Sequence, residues 1–260
     1  MTKIFIVIYT TYTHIYQLAL EVKKGVESDP EAEVELFQVP ETLPQEVLTK
    51  MHAPPKPDIP IITAAKLAEA DGFLFGFPTR FGTLPAQFQS FLDSTGQLWS
   101  TGALKRKFGG FFFSTSGQHG GQETTAFTSV TYFAHHGVNF VPLSTGLPYQ
   151  GETSEVIGGS FWGSGTITGS DASRPISEKE KEVARVQGKE FVEIVGTYVR
   201  GTKVSIVNDE ISVDNNNNYT NNDVSTTTQD ARTRSIKKEK NEKKKKRFWI
   251  CCKSDSFLDD

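Results

Sequence analysis

Gly72-Phe73-Leu74-Phe75-Gly76-Phe77-Pro78-Thr79-Arg80-Phe81-Gly82 is the stretch that decides the fold of this chain. An apolar run that breaks abruptly into a turn reads as a strand buried on both faces, and such strands belong to parallel sheets covered by helices on either side. The residues after the run then stand at the carboxyl edge of the sheet. In open α/β sheets the loops diverge there, at the point where strand order reverses, and leave a crevice for ligands. Pro78 and Gly82 shape the turn and leave Thr79, Arg80 and Phe81 to face a ligand.

The surrounding sequence supplies the rest of a sheet. Residues 4–9 (IFIVIY) form a second buried-strand run, and Ile15, Leu18, Ala19, Val22 and Val26 then recur at the spacing of one helix face. Residues 33–39 alternate polar with apolar, the pattern of an edge strand. Residues 109–113 (GGFFF) give a fourth strand, followed by a glycine-containing loop and a helix to about His136; residues 138–141 give a fifth. Ser177 and Glu180 form a capping box, opening a last helix whose buried face is predicted to carry Val183, Val186, Phe191, Ile194, Val195 and Tyr198. Five strands alternating with helices predict an α/β fold, a doubly wound parallel sheet with helices on both faces.

Three regions differ in composition. Residues 1–200 hold 16 basic and 21 acidic side chains and are long enough for one well-buried core. Residues 201–236, rich in Asn, Ser and Thr, lack the apolar periodicity that offsets chain entropy and read as a disordered polar linker. Residues 237–260 start with eight basic and two acidic residues over 237–247 and continue into Phe248, Trp249, Ile250, Cys251 and Cys252. Both cysteines lie in this tail, so the folded part holds no disulfide. No secretory signal and no apolar run of spanning length is visible, which predicts a cytoplasmic folded part. The basic run is attracted to anionic leaflets, the aromatic residues insert at the interface, and acylation of Cys251 and Cys252 would complete a stable anchor. The protein is therefore expected at the inner face of the plasma membrane, peripherally anchored. Nucleic-acid binding is not expected, because no basic groove with stacking aromatics accompanies the lysine run.

Thr10, Thr11, Tyr12, Thr13, His14 and Ile15 lie between the first strand and the first helix, where hydroxyls, N–H groups and a helix N-terminus can hold a phosphate. Several separated motifs, in order, then resemble a known family. They are Tyr12 with His14 and Ile15, Pro78-Thr79-Arg80-Phe81-Gly82, Phe91-Leu92-Asp93 with Thr95-Gly96 and Leu98-Trp99, Gly120-Gly121-Gln122-Glu123, Ala134-His135-His136-Gly137, and residues 163–174. Residues 1–200 thus resemble the flavodoxin-like NAD(P)H:quinone oxidoreductases of the WrbA type, and the cysteine-bearing tail resembles that of the membrane-associated fungal members.

The resemblance implies a sheet of order 2-1-3-4-5, an FMN cofactor, NADH or NADPH as donor, two-electron reduction of quinones, and a homotetramer with active sites near subunit contacts. It places Thr79, Arg80 and Phe81 along the flavin ring and Thr115, Ser116, Gly117, Gln118, His119 and Gly120 against its other edge. His135 would contact FMN or shape the quinone pocket, and Trp99 would flank the substrate. Full two-electron reduction avoids releasing a quinone radical that passes its electron to oxygen, hence an expected antioxidant role. Where the family has glycine before the histidine this chain has Thr13, which either crowds a phosphate or imposes a different backbone angle. A second function class is a flavodoxin-fold scaffold or sensor of a membrane domain with weak or no FMN binding.

Overall fold

The computed structural model describes residues 1–143, 149 and 151–216, with side chains described to residue 202. In chain order the first half holds β1 (Thr2–Ile8), α1 (His14–Val26), β2 (Ala32–Gln38), α2 (Gln45–Lys50), α3 (Ala64–Leu67) and β3 (Gly72–Pro78). The second half holds α4 (Ala86–Asp93), α5 (Gly96–Thr101), β4 (Phe108–Thr115), α6 (Gln122–His136), β5 (Asn139–Phe140), β6 (Gly159–Ser160), β7 (Gly163–Ile167) and α7 (Glu178–Asn216). Strand order is β2-β1-β3-β4-β7-β6, with β5 also paired to β4. Every pairing is parallel except that of β6 with β7.

Alternation along the strands sorts the core onto two faces. Phe5, Val7, Phe73, Phe75, Phe77, Phe111 and Phe113 point to one side, against Phe88, Phe91 and Phe133 of α4 and α6. Ile4, Ile6, Ile8, Leu74 and Phe112 point to the other, against Leu18 and Val22 of α1 and Phe191 and Val195 of α7. Each such buried side chain contributes about 1.5–3 kcal/mol relative to exposure. Helices α1 and α7 touch backbone to backbone: a Cβ on Gly25 would collide with the Arg185 carbonyl, and one on Gly188 with that of Val22.

The capping box forms reciprocally, Ser177 N–H donating to Glu180 Oε2 and Glu180 N–H to Ser177 Oγ. The α7 face differs from expectation in three positions, Val186 being only partly buried. Ile194 and Tyr198 are exposed, because the stripe against the sheet runs through Ala184, Phe191, Val192 and Val195. The helix also continues to Asn216, past residue 200 where its end was predicted. Val204, Val207 and Ile211 keep helical spacing across that boundary, a signal submerged among polar residues. The remainder of the predicted linker and the whole anchoring tail lie outside the described residues.

The fifth sheet position is also built otherwise than 138–141 alone suggests. β5 pairs only with Phe108 and Gly109, while the carboxyl half of β4, Phe113–Thr115, pairs with β7. Two segments therefore share the place of one strand, and β6 adds an antiparallel edge. Gly163-Ser164-Gly165 conceals β7 in sequence because these residues have little strand preference. Packing demands them: a Cβ at Gly163 would meet the Phe111 carbonyl, and one at Gly165 the Gln122 amide.

Candidate active site

Loops leaving the carboxyl ends of β1, β3, β4 and β7 converge at one edge of the sheet and enclose a cleft of about 210 Å³. The chain returns from β1 through α1 to β2 on one side and only then to β3 on the other, so the crevice stands where strand order reverses. Thr10, Thr11, Tyr12, His14 and Ile15 line it from the first loop, Thr79 and Arg80 from the second, and Thr115 and Ser116 from the third. Thr168, Gly169, Ser170 and Ala172 form a fourth wall. Among the described residues, no carboxylate lines the cleft.

Several contacts pin these loops together. Arg80 Nη1 donates to the Thr79 carbonyl at 2.9 Å and Nη2 to Thr11 Oγ1 at 3.2 Å, joining the second loop to the first. His14 Nε2 lies 3.1 Å from the Arg174 carbonyl, which can only accept, so this nitrogen carries the proton and ties the first loop to the fourth. Arg174 is held in turn: its guanidinium donates to the Ile167 and Val156 carbonyls and to Glu180, whose side chain is fully buried. Below the first loop, burial pushes the Tyr9 hydroxyl up to about 12 even though the Thr11 hydroxyl opposes the shift. Tyr9 is therefore neutral and donates to Glu41 at 3.1 Å.

Thr13, at the N-cap of α1, has φ 71 and makes no side-chain cap, and the first turn of the helix holds no acidic residue. Its backbone thus adopts the left-handed conformation that glycine takes without strain. The Thr13 side chain is not part of the cleft wall; its Oγ1 accepts from Gln17 Nε2 at 3.3 Å. A residue with a Cβ thus holds a backbone angle suited to glycine, while its side chain turns towards Gln17.

Other predicted site residues stand elsewhere on the chain. Phe81 occupies a turn closed by Arg80 N–H to the Thr83 carbonyl and the reverse pair, with φ 54, and its ring is fully exposed. Gly117 and Gly120 belong to an exposed turn beyond the cleft, and Gln118 and His119 face an adjoining groove with Gln122 and Ile167. Trp99 is exposed on α5. His135 lines a second cleft, of about 330 Å³, between α4 and α6, together with Asp93, Thr95, Tyr132 and His136. His136 is buried there, and its Nδ1 has no hydrogen-bond partner among the described residues. Burial, then the neighbouring His135, holds the His136 imidazole below its usual range.

Comparison with known proteins settles the family. Residues 13–148 match the model of the NADPH-dependent FMN reductase family. The chain belongs to this family. It is 54% identical over 188 residues to the quinone-oxidoreductase QR2 of Triphysaria versicolor, covering 72% of this chain and 92% of that protein. It is 52% identical over 204 residues to the NAD(P)H quinone oxidoreductase YCP4 of Candida albicans, covering 77% and 70% respectively. Its fold is that of a flavodoxin, WrbA-like protein from Agrobacterium tumefaciens, with a TM-score of 0.52 at 20% identity over 76% of this chain and 99% of that one.

The donor set of this FMN reductase family member fits a flavin mononucleotide. A 13-residue helix points an uncapped N-terminus at a cleft lined by hydroxyls and one guanidinium, without an opposing carboxylate among the described residues. The fourth wall lies within the motif 163–174, to which the sequence alone assigns no place at the site because Gly163-Ser164-Gly165 hides β7.

Proposed function

We propose that the protein is an FMN-dependent NAD(P)H:quinone oxidoreductase. The observation that carries this reading is the hydroxyl-lined cleft with one guanidinium at the switch point of the sheet, in a chain about half identical to proteins named quinone oxidoreductases. Bound FMN would supply the two-electron transfer between nicotinamide and quinone. The protein's own contribution is placement: the β1–α1 loop and the α1 N-terminus hold the phosphate, and Thr79, Arg80, Thr115 and Ser116 orient the remainder. The fixed positive charge of Arg80 stabilises electron density that develops beside it.

His135, His136 and Trp99 stand apart from this cleft on a single chain. We read His135 and Trp99 as reaching the site of a neighbouring copy in a homotetramer, where they bound the quinone pocket. The tail, through Cys251 and Cys252, holds the assembly at the cytoplasmic face of the plasma membrane, next to lipid-soluble quinones, and full two-electron reduction there serves an antioxidant role. Titration of FMN into apo-protein tests the core of this reading: saturable quenching of flavin fluorescence is expected. Absence of saturation would favour the scaffold function instead.

A further inference from the structure

The segment between α2 and α3 runs along the phosphate loop although it contributes no wall to the cleft. It is fastened to the sheet by Gln38, whose Nε2 donates to the Pro57 and Ile59 carbonyls at 2.9 and 2.8 Å. Pro54, Pro55 and Pro57 stiffen it. From this strap Lys56 reaches the end of β1, where its Nζ donates to the Thr10 carbonyl at 2.7 Å, pairs with Glu41 at 2.6 Å, and sits 4.4 Å from the centre of the Tyr9 ring. Tyr12 returns the contact by donating its hydroxyl to the Met51 carbonyl at 3.0 Å.

The Lys56 contact has a directional consequence. In a trans peptide the carbonyl oxygen and the following N–H point in opposite directions, and the described residues contain no cis bond. Fixing the Thr10 carbonyl on Lys56 therefore turns the Thr11 N–H away from Lys56, and Thr11 lines the cleft. Glu41 in turn keeps Lys56 in place and cancels its charge. The carboxylate accepts from Thr42 N–H, Leu43 N–H, Gln87 and Tyr9 as well. Burial opposes its ionisation, but the bonds from Lys56 and the Leu43 amide prevail and hold it below the usual carboxylate range.

We propose that Lys56 is a positioning residue for the phosphate group of the ligand: held by Glu41, it fixes the Thr10–Thr11 peptide so that the Thr11 amide presents its hydrogen to the cleft. Lys56 acts through this peptide and does not itself touch the ligand. The inference rests on the proposed FMN site, and it makes the preference for FMN over riboflavin, which differs by the phosphate alone, the informative quantity.

The experiment titrates FMN and riboflavin in parallel into three full-length apo-proteins: wild type, Lys56→Met, and Lys56→Met combined with Glu41→Gln. The double variant removes a neutral pair, so it leaves the local charge unchanged and no carboxylate unpaired. The expected result is that both variants lose about tenfold of the FMN-over-riboflavin preference, the order of one charge-assisted hydrogen bond, with riboflavin affinity unchanged. A double variant that keeps the wild-type preference overturns the proposal, since the single variant would then act through the exposed charge of Glu41. Equal losses for both ligands overturn it too, because they report general loosening of the fold. Failure of wild type to bind FMN removes the site itself and is told apart by the first titration.

Discussion

Arg80 reaches from the loop after β3 to the loop after β1, its Nη2 donating to Thr11 Oγ1 over 3.2 Å. The contact crosses the crevice at which strand order reverses and sets the spacing of the two loops that flank it. Thr11→Val keeps the shape and removes the acceptor, leaving Arg80 held by the Thr79 carbonyl alone. A partly buried hydrogen bond of this kind contributes about 0.5–1.5 kcal/mol. FMN affinity should fall by roughly three- to tenfold on that scale, with little change in the melting temperature. Isothermal titration alongside thermal melts checks both, and an unchanged affinity would show that the bridge does not organise the site.

Thr13→Gly should stabilise the protein. A left-handed conformation costs a residue with a Cβ about 1–2 kcal/mol, offset in part by the extra entropy glycine brings to the unfolded chain. A net gain of up to about 1 kcal/mol is expected, read as a higher urea midpoint. Since the Thr13 side chain is not part of the cleft wall, FMN affinity should stay close to that of wild type; markedly tighter binding would mean that this threonine does crowd the phosphate.

Gly188→Ala tests the approach of α1 to α7. The added methyl group meets the Val22 carbonyl, backbone that cannot rotate aside. Overpacking of this kind costs about 1–3 kcal/mol, and the upper end is expected. Gly201→Ala, where a Cβ meets nothing within 4 Å among the described residues, is the control. Equal chemical stability of the two variants would contradict the close helix contact.

His136 makes stability depend on pH. Burial, followed by His135, holds its imidazole below the ordinary value of 6.5, so the folded state binds its proton less readily than the unfolded chain. The stability it allows is fully present above the unfolded value and is lost as pH falls below it towards the lower folded value. The Tyr132 ring, 4.3 Å away, stays neutral, its hydroxyl pushed up to about 12 by burial. His136→Gln should flatten the decline in melting temperature on going from pH 7.5 to 5. An unaltered slope would assign the decline to other groups.

Location in the cell should depend on the two tail cysteines. One acyl chain anchors reversibly, whereas acylation beside a polybasic run anchors stably. Replacing Cys251→Ser together with Cys252→Ser should move a fluorescent fusion from the cell periphery to the cytosol while quinone reduction in solution is retained. Persistence at the membrane would exclude acylation as the anchor, and loss of soluble activity would join the tail to the catalytic unit.

Local pattern by itself indicated the parallel sheet, because strands buried on both faces must be apolar throughout, and residues 4–9 and 72–78 are short apolar runs that alternate with helix-spaced segments. It also determined the three loops at the carboxyl edge, since a strand followed directly by a helix leaves its connection there, and the capping box of α7, whose partners are three residues apart. Tertiary structure decided the rest. β7 is a strand through its pairing with β4, and it is glycine-rich because the Phe111 carbonyl and the Gln122 amide approach too closely for a Cβ at 163 and 165, a cause that lies far away in sequence. The fourth wall of the cleft and the placing of His135 and Trp99 away from the cleft depend in the same way on how distant segments come together. Lys56 shows the limit most clearly: nothing in a proline-rich loop announces that its one lysine reaches the Thr10 carbonyl, because that distance is set by the packing of β1, β2 and the strap together.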